Sequence, residues 1–262
     1  MGFCRVVMAG TGNVSAVLSG LIRSRGHSIV AVAGRDIAKA TLLAEAWGAE
    51  PTTSFDFTET KADLCILAVS DRALAGCGDW LRTGDMVTVH TAGSVPMDAL
   101  RPVAENRGVL YPLQSLNAHA TVAPAIPFLV DGSTEEVAGF VADFARSLSH
   151  DVRRANDKQR ADTHLAAVVS SNFINHLMAL TEDFCRMKDI PFIGLRPLLL
   201  ETIERAFVVS PSDVQTGPAA RNDIDTLKSH LVRLNEIPEL KDLYLVLSRS
   251  ILERKGFDGG SL

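Results

Sequence analysis

Short apolar runs alternate with segments of helical periodicity over the first 155 residues of the chain. The apolar runs predict buried strands, and the segments with apolar positions three and four residues apart predict helices. The runs lie at 4–9, 29–33, 63–69, 86–90, 109–111, 128–130 and 151–154. The helical segments lie at 14–22, 37–47, 72–81, 96–106 and 135–148. This alternation is typical of an α/β fold in which helices cover both faces of a mostly parallel sheet.

The pattern changes at residue 156, after which only helical spacing occurs. Residues 161–187 predict one long helix, with a length of roughly 40 Å if it is unbroken. Three further helices are predicted at 197–209, 223–234 and 239–255. We therefore predict an α/β domain at 1–155, followed by an all-helical domain at 156–262 that contributes to substrate binding or to dimerisation.

The turn Gly10-Thr11-Gly12-Asn13-Val14 connects the first predicted strand to the first predicted helix. Strand, glycine turn and helix in this order are typical of a dinucleotide-binding βαβ unit of the doubly wound Rossmann type. Gly10 allows the tight turn, Gly12 lets the backbone approach a pyrophosphate, and the helix N-terminus offers N–H groups to the phosphates. Ser15 stands where the pattern has its third glycine. We predict that the five turn residues bind a dinucleotide; the alternative is a tight turn without a ligand.

The end of the second predicted strand decides which dinucleotide is preferred. NAD sites place an Asp or Glu there, on the ribose hydroxyls, whereas an arginine suits the 2′-phosphate of NADP. The chain has Gly34 at the expected acidic position, followed by Arg35 and Asp36. We therefore predict NADP(H) as the cofactor, with Arg35 on its 2′-phosphate. NAD is the alternative cofactor if a one-residue shift places the carboxylate of Asp36 on the ribose. Asp36 can instead be the N-cap of the next helix.

Two later strand ends supply further candidates, because ligands of such sheets lie beyond the carboxyl ends of the strands. We expect cofactor contacts from five residues at these ends: Val69, Ser70, Asp71, Ala92 and Gly93. Asp71 can instead cap the following helix. Ser94 is a candidate catalytic hydroxyl where a nicotinamide ring would lie. His90 ends the same strand and is either functional or hydrogen-bonded to backbone.

A polar stripe on the long predicted helix supplies candidate catalytic and substrate residues. His164, Ser171 and Asn175 fall within about 20° of one face at 3.6 residues per turn. We predict His164 as a proton donor and the other two as substrate contacts. Asn172 lies about 80° away and is a further catalytic candidate. The alternative is a hydrogen-bonded stripe in a helix–helix or subunit interface.

Two loop residues are candidate substrate contacts. Gln114 follows the strand at 109–111 and offers an amide to a substrate or to the nicotinamide carboxamide; its alternative role is to stabilise its own loop. Arg221 lies in the turn Gly217-Pro218-Ala219-Ala220-Arg221-Asn222-Asp223 and can hold a substrate carboxylate in a bidentate pair. Its alternative is an internal salt bridge, with Asn222 or Asp223 capping the next helix.

Composition and charge narrow the classes of function. The chain has 262 residues, 47% of them hydrophobic, and a net charge of −5 without a cluster of lysine or arginine. These values predict a folded protein that binds neither nucleic acid nor a membrane. No apolar run reaches the roughly 18 residues of a membrane span, and no signal-type segment opens the chain. The four cysteines lack metal-type spacing, so we expect no metal site and a reduced, cytoplasmic protein.

Several of these motifs together resemble one bacterial family. The motifs are the glycine turn, Leu67-Ala68-Val69-Ser70-Asp71, His90-Thr91-Ala92-Gly93-Ser94, Tyr111-Pro112-Leu113-Gln114-Ser115, His164 with Asn172, and Gly217 to Asp223. Their order resembles the Rossmann-like proteins with a C-terminal domain of unknown function called DUF2520. That family is similar to pyrroline-5-carboxylate reductase and to coenzyme F420-dependent NADP oxidoreductases. The resemblance implies a Rossmann domain, NADP-linked chemistry and a homodimer formed through the helical domain. Asn222 departs from the family, in which glycine is usual at this position.

The residues and the resemblance lead to one functional prediction. We expect an NADP(H)-dependent oxidoreductase that transfers a hydride to or from a small substrate with a C=N or C=O bond. The alternative is a nucleotide-binding or redox-sensing protein without catalytic activity, which the missing third glycine favours. A third interpretation is a degenerate Rossmann domain that binds another nucleotide or coenzyme F420.

Overall fold

The computed structural model describes residues 2–118 and 125–262, and it divides into two compact units, Met1–Val168 and Val169–Leu262. Eight strands of the described residues form one sheet in the first unit. The strands are β1 (Arg5–Ala9), β2 (Ser28–Ala33), β3 (Glu50–Thr52), β4 (Leu64–Leu67), β5 (Val87–His90), β6 (Arg107–Pro112), β7 (Phe128–Gly132) and β8 (Val152–Arg154).

The sheet has the order β3-β2-β1-β4-β5-β6-β7-β8. Neighbouring strands are parallel except β6 and β7, which are antiparallel. The chain therefore starts inside the sheet and crosses over to one side and then to the other, which is the doubly wound arrangement. The predicted Rossmann-type α/β fold with a mostly parallel sheet is confirmed.

Helices cover both faces of the sheet, and successive strand residues point into opposite cores. Val6 and Met8 pack on one face with Leu18, whereas Val7 and Ala9 pack on the other. The helices of this unit are α1 (Asn13–Ser24), α2 (Ile37–Trp47), α3 (Asp71–Ala75), α4 (Glu135–Leu148) and α5 (Asp157–Ala167). Burial on both faces explains why the strands are continuous apolar runs rather than alternating ones.

Two predicted helices are shorter in the structure. The segment 96–106 contains only a 3₁₀ turn at Met97–Leu100, because Pro102 lacks the N–H that would continue a helix. The segment 72–81 forms α3 and then a 3₁₀ turn at Cys77–Asp79. Glycines at 76 and 78 interrupt it, since glycine is a poor helix former.

The second unit is helical, and no strand occurs in residues 169–262, all of which the structure describes. Its helices are α6 (Phe173–Met187), α7 (Arg196–Val208), α8 (Ile224–Arg233) and α9 (Pro238–Arg254). Leu180 and Leu240 belong to one of its apolar clusters, and Leu227 and Leu252 belong to another. No helix of the described residues is both long and apolar enough to cross a membrane.

The predicted helical stretch at 161–187 is helical, and it contains a π turn at Val168–Asn172 between α5 and α6. Compact packing also divides the chain at 168 rather than at the predicted 155. The added segment is α5, which joins the first unit because its Arg160 is buried against the loop after β5.

Candidate functional site

The glycine turn after β1 has the geometry that its sequence predicts. Gly10 has φ +126°, and a Cβ added there would lie 2.1 Å from the carbonyl oxygen of Ala68. Glycine is therefore required for both the backbone conformation and the close approach to β4. Gly12 begins α1, and a Cβ added there would meet no heavy atom within 4 Å. Ser15, at the position of the third glycine, is fully buried, so a small residue fits here.

A cleft of about 860 Å³ lies along the carboxyl ends of β1, β2, β4 and β5. Most of the residues predicted to bind the cofactor line it: Gly10, Thr11, Gly12, Asn13, Val14, Arg35, Val69 and Ser70. Asp71, Ala92 and Gly93 do not line the cleft, although Thr91, which precedes Ala92, does. The cleft is large enough for a small-molecule cofactor, and it lies at the sheet edge where such folds bind ligands.

The geometry at the end of β2 favours an arginine, rather than an acidic residue, as the charged side chain in the cleft. A Cβ on Gly34 would lie 2.5 Å from Cγ2 of Thr11, so a carboxylate side chain does not fit at this position. Asp36 caps α2 by accepting hydrogen bonds from the N–H groups of Ala38 (3.0 Å) and Lys39 (3.3 Å), which confirms its interpretation as an N-cap. Arg35 is exposed and lines the cleft.

Two aromatic residues of the cleft were missed by the sequence analysis. Phe55 and Trp80 line it and pack edge to face, with ring centroids 4.9 Å apart. They lie in separate connections, one after β3 and one before β5. Only tertiary structure brings them together, so no local pattern could have paired them.

The predicted residues after β4 and β5 contact each other. Ser70 caps α3 by accepting a hydrogen bond from the N–H of Ala73 at 3.4 Å. The hydroxyl of Ser94 donates to the carboxylate of Asp71 at 2.6 Å. Asp71 is therefore not the cap of α3, as one interpretation had it, because Ser70 takes that position. Its carboxylate joins the two strand ends instead.

His164 on α5 lies close to the ends of β5 and β6. Its Nδ1 is 3.0 Å from Oη of Tyr111, and the two rings pack edge to face. A Cβ on Gly93 would lie 2.6 Å from the imidazole, so glycine at this position makes room for the ring. Burial raises the pKa of Tyr111, so its phenol stays protonated at neutral pH. Tyr111 was not among the predicted site residues, although its motif was noted.

Arg160 lies one turn before His164 and is only 1% exposed. It donates to the carbonyl of Val95 and, at 2.8 Å, to the carboxylate of Asp157. These bonds fix α5 against the loop that follows β5, and so they fix the helix that carries His164. No local sequence pattern indicates that this arginine is buried.

His90 is fully buried, and its Nδ1 accepts a hydrogen bond from the N–H of Ala92 at 3.2 Å. Burial, and secondly the charge of Arg160, lower the pKa of His90 to about 4. The ring is therefore neutral at physiological pH and shapes the turn after β5. This arrangement corresponds to the interpretation of His90 as a histidine bonded to backbone.

The amide of Gln114 is used within its own loop. Its Nε2 donates to the carbonyl of Ala125 at 3.1 Å, and its Oε1 accepts from the N–H of Ser115 at 2.9 Å. These contacts correspond to the loop-stabilising alternative for Gln114.

The remaining candidates belong to the second unit and are exposed: Ser171, Asn172, Asn175 and Arg221. Because Ser171 lies within the π turn and Asn175 lies after it, the angles of an unbroken α-helix do not apply to these residues and His164. Asn222 has φ +56°, the left-handed conformation that glycine adopts freely and that asparagine tolerates best among other residues. This explains why asparagine can replace the family's glycine. Asp223 caps α8.

The fold and the cleft define a Rossmann-type α/β unit with a cleft at the carboxyl edge of its sheet, followed by a helical unit. The model of the family described as "Domain of unknown function (DUF2520)" matches residues 126–251. A structure from Bacteroides fragilis, provisionally named an NADP oxidoreductase, is 35% identical, with a TM-score of 0.87 over 96% of this chain and 98% of that one. The chain therefore belongs to this Rossmann-like family with a C-terminal DUF2520 domain.

More distant structures share the fold. A reductive aminase from Aspergillus terreus, solved with NADPH and ethyl-5-oxohexanoate, is 16% identical with a TM-score of 0.72, covering 99% of this chain and 98% of that one. A 1-pyrroline-5-carboxylate reductase from Streptococcus pyogenes is 15% identical with a TM-score of 0.62, and the match covers 97% of this chain and 99% of that one. No curated protein matches the sequence.

Proposed function

We propose that this protein is an NADP(H)-dependent oxidoreductase that transfers a hydride to or from a small substrate with a C=N or C=O bond. The observation that carries the proposal is the cleft at the sheet edge, which combines the glycine turn with Arg35. The provisional name of the relative from Bacteroides fragilis supports the same class. The reductive aminase solved with NADPH supports a nicotinamide cofactor in this fold.

The lining of the cleft fits a dinucleotide. The open space at the Cβ position of Gly12 leaves the backbone at the start of α1 free to approach a ligand. No side chain caps this helix end, so its N–H groups and its dipole are available to a pyrophosphate. Arg35 forms no ion pair within residues 2–118 and 125–262, and it would hold the 2′-phosphate of NADP.

NADPH, when bound, supplies the hydride, and the protein supplies orientation and a proton. His164 is the candidate proton donor. We infer that His164 acts in its protonated form, in which Nδ1 donates to Oη of Tyr111 at 3.0 Å. Nε2 then donates its proton to the nitrogen or oxygen of the substrate, and a neutral imidazole is left. His164→Gln should lower kcat at least tenfold and leave NADPH affinity unchanged; an unchanged kcat would exclude this role.

Ligand-induced stabilisation tests the cofactor directly. The protein is heated with NADPH, NADP, NADH or NAD at matched concentrations. A ligand at 100 times its Kd adds about 2.7 kcal/mol to the free energy of unfolding. Stabilisation by NADPH and NADP above NADH and NAD is the expected result. No stabilisation by any of the four would favour a binding role for another nucleotide or for coenzyme F420.

The role of Arg35 has a matched control. Arg35→Gln should raise the Kd of NADPH about tenfold or more and that of NADH less than about twofold, because a hydrogen bond between charged groups contributes about 1.5–3 kcal/mol. Lys39→Gln removes an equal charge from an exposed position that does not line the cleft, and it should change neither Kd. Trp80 lines the cleft, so quenching of its fluorescence can report binding. Equal weakening of NADPH and NADH by Arg35→Gln would refute the 2′-phosphate contact.

We also propose a homodimer formed through the helical unit. Large apolar side chains are exposed on α7, with Phe207 at 89% and Val208 at 85%. Such a surface is typical of a protein–protein interface. Sedimentation velocity at micromolar concentration should give the mass of two chains, and a monomer under these conditions would contradict the proposal.

The remaining assignments follow from the sequence predictions. Ser94 and Asn172 are proposed to assist at the reacting group. Ser171, Asn175 and Arg221 are proposed to contact the substrate, whereas the amide of Gln114 is proposed to stabilise its own loop. The four cysteines are free and buried, which supports a reduced cytoplasmic compartment.

A further inference from the structure

The helical unit contains a cavity of its own, with a volume of about 520 Å³. It lies among α6, α8 and α9, and the turn that contains Gly217 and Pro218 also lines it. Its walls are mainly apolar, with Leu177, Phe184 and Leu240 among them. This volume is within the range of sites that bind small molecules. The cavity shares no lining residue with the cleft of the first unit.

A polar cluster interrupts the apolar wall. Nδ1 of His230 lies 2.8 Å from Oη of Tyr244, and the two rings pack edge to face. The hydroxyl of Ser248, a residue only 5% exposed, also interacts with Tyr244. All three side chains line the cavity. Burial raises the pKa of Tyr244, so its phenol remains a hydrogen-bond donor at neutral pH.

A cation completes the cluster. Arg233 lines the cavity and lies three residues after His230, on the same face of α8. It forms no ion pair with an acidic side chain in the part of the chain that the structure describes. The cavity therefore combines apolar walls with a guanidinium and a phenol. A guanidinium matches the two oxygens of a carboxylate, whereas it repels an ammonium group.

We propose that this cavity binds an amphipathic monocarboxylic acid, with its hydrocarbon chain among Leu177, Phe184 and Leu240 and its carboxylate on Arg233 and Tyr244. The apolar walls exclude water from the chain of such a ligand, which drives its burial. The charged end supplies specificity, because only a ligand with a carboxylate can form a charge-assisted pair with the exposed guanidinium of Arg233 beside the half-buried phenol of Tyr244. The site is independent of the proposed cofactor, and it gives the helical unit a ligand-binding role.

Three probes with the same chain length test the proposal: octanoate, 1-octanol and octylamine. Each is titrated calorimetrically into the full-length protein, with and without NADPH. Octanoate should bind at one site per chain. The alcohol should bind at least about tenfold more weakly, and the amine should show no binding, because a hydrogen bond to a charged group contributes more than one between neutral groups. Equal affinities for octanoate and octanol would overturn the proposal, and so would the absence of binding by all three probes.

Two variants locate the binding of octanoate. Arg233→Gln should raise its Kd about tenfold. Arg254→Gln is the matched control, because Arg254 is, like Arg233, an exposed arginine in the last turn of a helix, but it does not line the cavity. Tyr244→Phe keeps the ring and should also weaken binding. Thermal unfolding checks that each variant is folded. An unchanged Kd in a folded Arg233→Gln protein would overturn the proposal, and equal losses in both arginine variants would do the same.

Discussion

The two glycines of the turn after β1 should differ in how substitution by alanine changes the free energy of unfolding. Gly10→Ala introduces a Cβ at φ +126°, 2.1 Å from a backbone oxygen of Ala68 that cannot rotate away. The backbone conformation costs about 1–3 kcal/mol, and the overpacking costs about 1–3 kcal/mol more. The two costs together come to about 2–6 kcal/mol, and we expect a loss near the middle of that range, about 4 kcal/mol, which is a large part of the stability of a typical domain.

Gly12→Ala provides the contrast. Its φ is −86°, which alanine adopts without strain, and the added methyl group meets no heavy atom within 4 Å. The variant loses a favourable N-cap residue but restricts the unfolded chain, and these two effects of about 0.5–1 kcal/mol oppose each other. We expect nearly unchanged stability. The methyl group would, however, occupy the space where we propose that the pyrophosphate approaches, so the Kd of NADPH should rise at least tenfold.

Tryptophan fluorescence can measure these changes in the first unit alone, because both tryptophans, Trp47 and Trp80, belong to it. For a unit of this size, 1 kcal/mol corresponds to a shift in Tm of about 2–4 °C. Gly10→Ala should therefore lower the Tm by about 10 °C or more, and Gly12→Ala by less than about 3 °C. If the Gly10→Ala protein had the Tm of the natural chain, the conclusion that only glycine fits at position 10 would be refuted. A Gly12→Ala protein with unchanged NADPH affinity would contradict the proposed phosphate contact.

Buried His90 should make the stability depend on pH. Its folded-state pKa is about 4, below its usual 6.5, so the unfolded state binds the proton more readily. The stabilisation is complete above pH 6.5 and falls by about 3 kcal/mol as the pH drops towards 4. His90→Asn should remove most of this decline of Tm with falling pH, whereas His150→Asn, at an exposed position, should not. If the two variants had the same profile of Tm against pH, the decline could not be assigned to His90. Gly34→Asp should lower the Tm by several degrees, and Thr11→Ala should restore it in the double variant by removing Cγ2, 2.5 Å from the new Cβ. Simple additivity of the two Tm shifts would exclude this contact.

The parts of the fold that follow from local physics were predictable from the sequence. Continuous apolar runs identified the strands, since a sheet covered on both faces needs no polar residues in them. The glycine turn identified the start of α1, because its conformation excludes other residues at Gly10. The segment 96–106 was predicted incorrectly as a helix, because helical spacing of apolar residues was given more weight than the proline inside it.

The parts that depend on tertiary contacts were not predictable in the same way. Arg160 is buried only because α5 docks on the loop after β5, and Phe55 meets Trp80 only once the sheet has formed. The π turn at Val168–Asn172 carries no signal in the hydrophobic pattern, because one extra residue in a helix leaves the spacing on either side intact. Compact packing divides the chain after Val168, whereas the predicted domain division follows the end of the strands. Residue 156 marks the end of the strands, whereas compactness is decided by which surface α5 covers.

The geometry of His164 restricts which substrates the proposed chemistry can use. Its Nδ1 is engaged by Tyr111, and a phenol kept neutral by burial is a poor source of the transferred proton. Nε2 is then the ring nitrogen that faces no partner in the described residues, and it can donate only to an acceptor atom. A carbonyl oxygen and an imine nitrogen both provide such an acceptor next to the carbon that receives the hydride. A C=C bond without an adjoining polar atom does not, so ketones, aldehydes and imines are the substrates that we propose for this pair of residues.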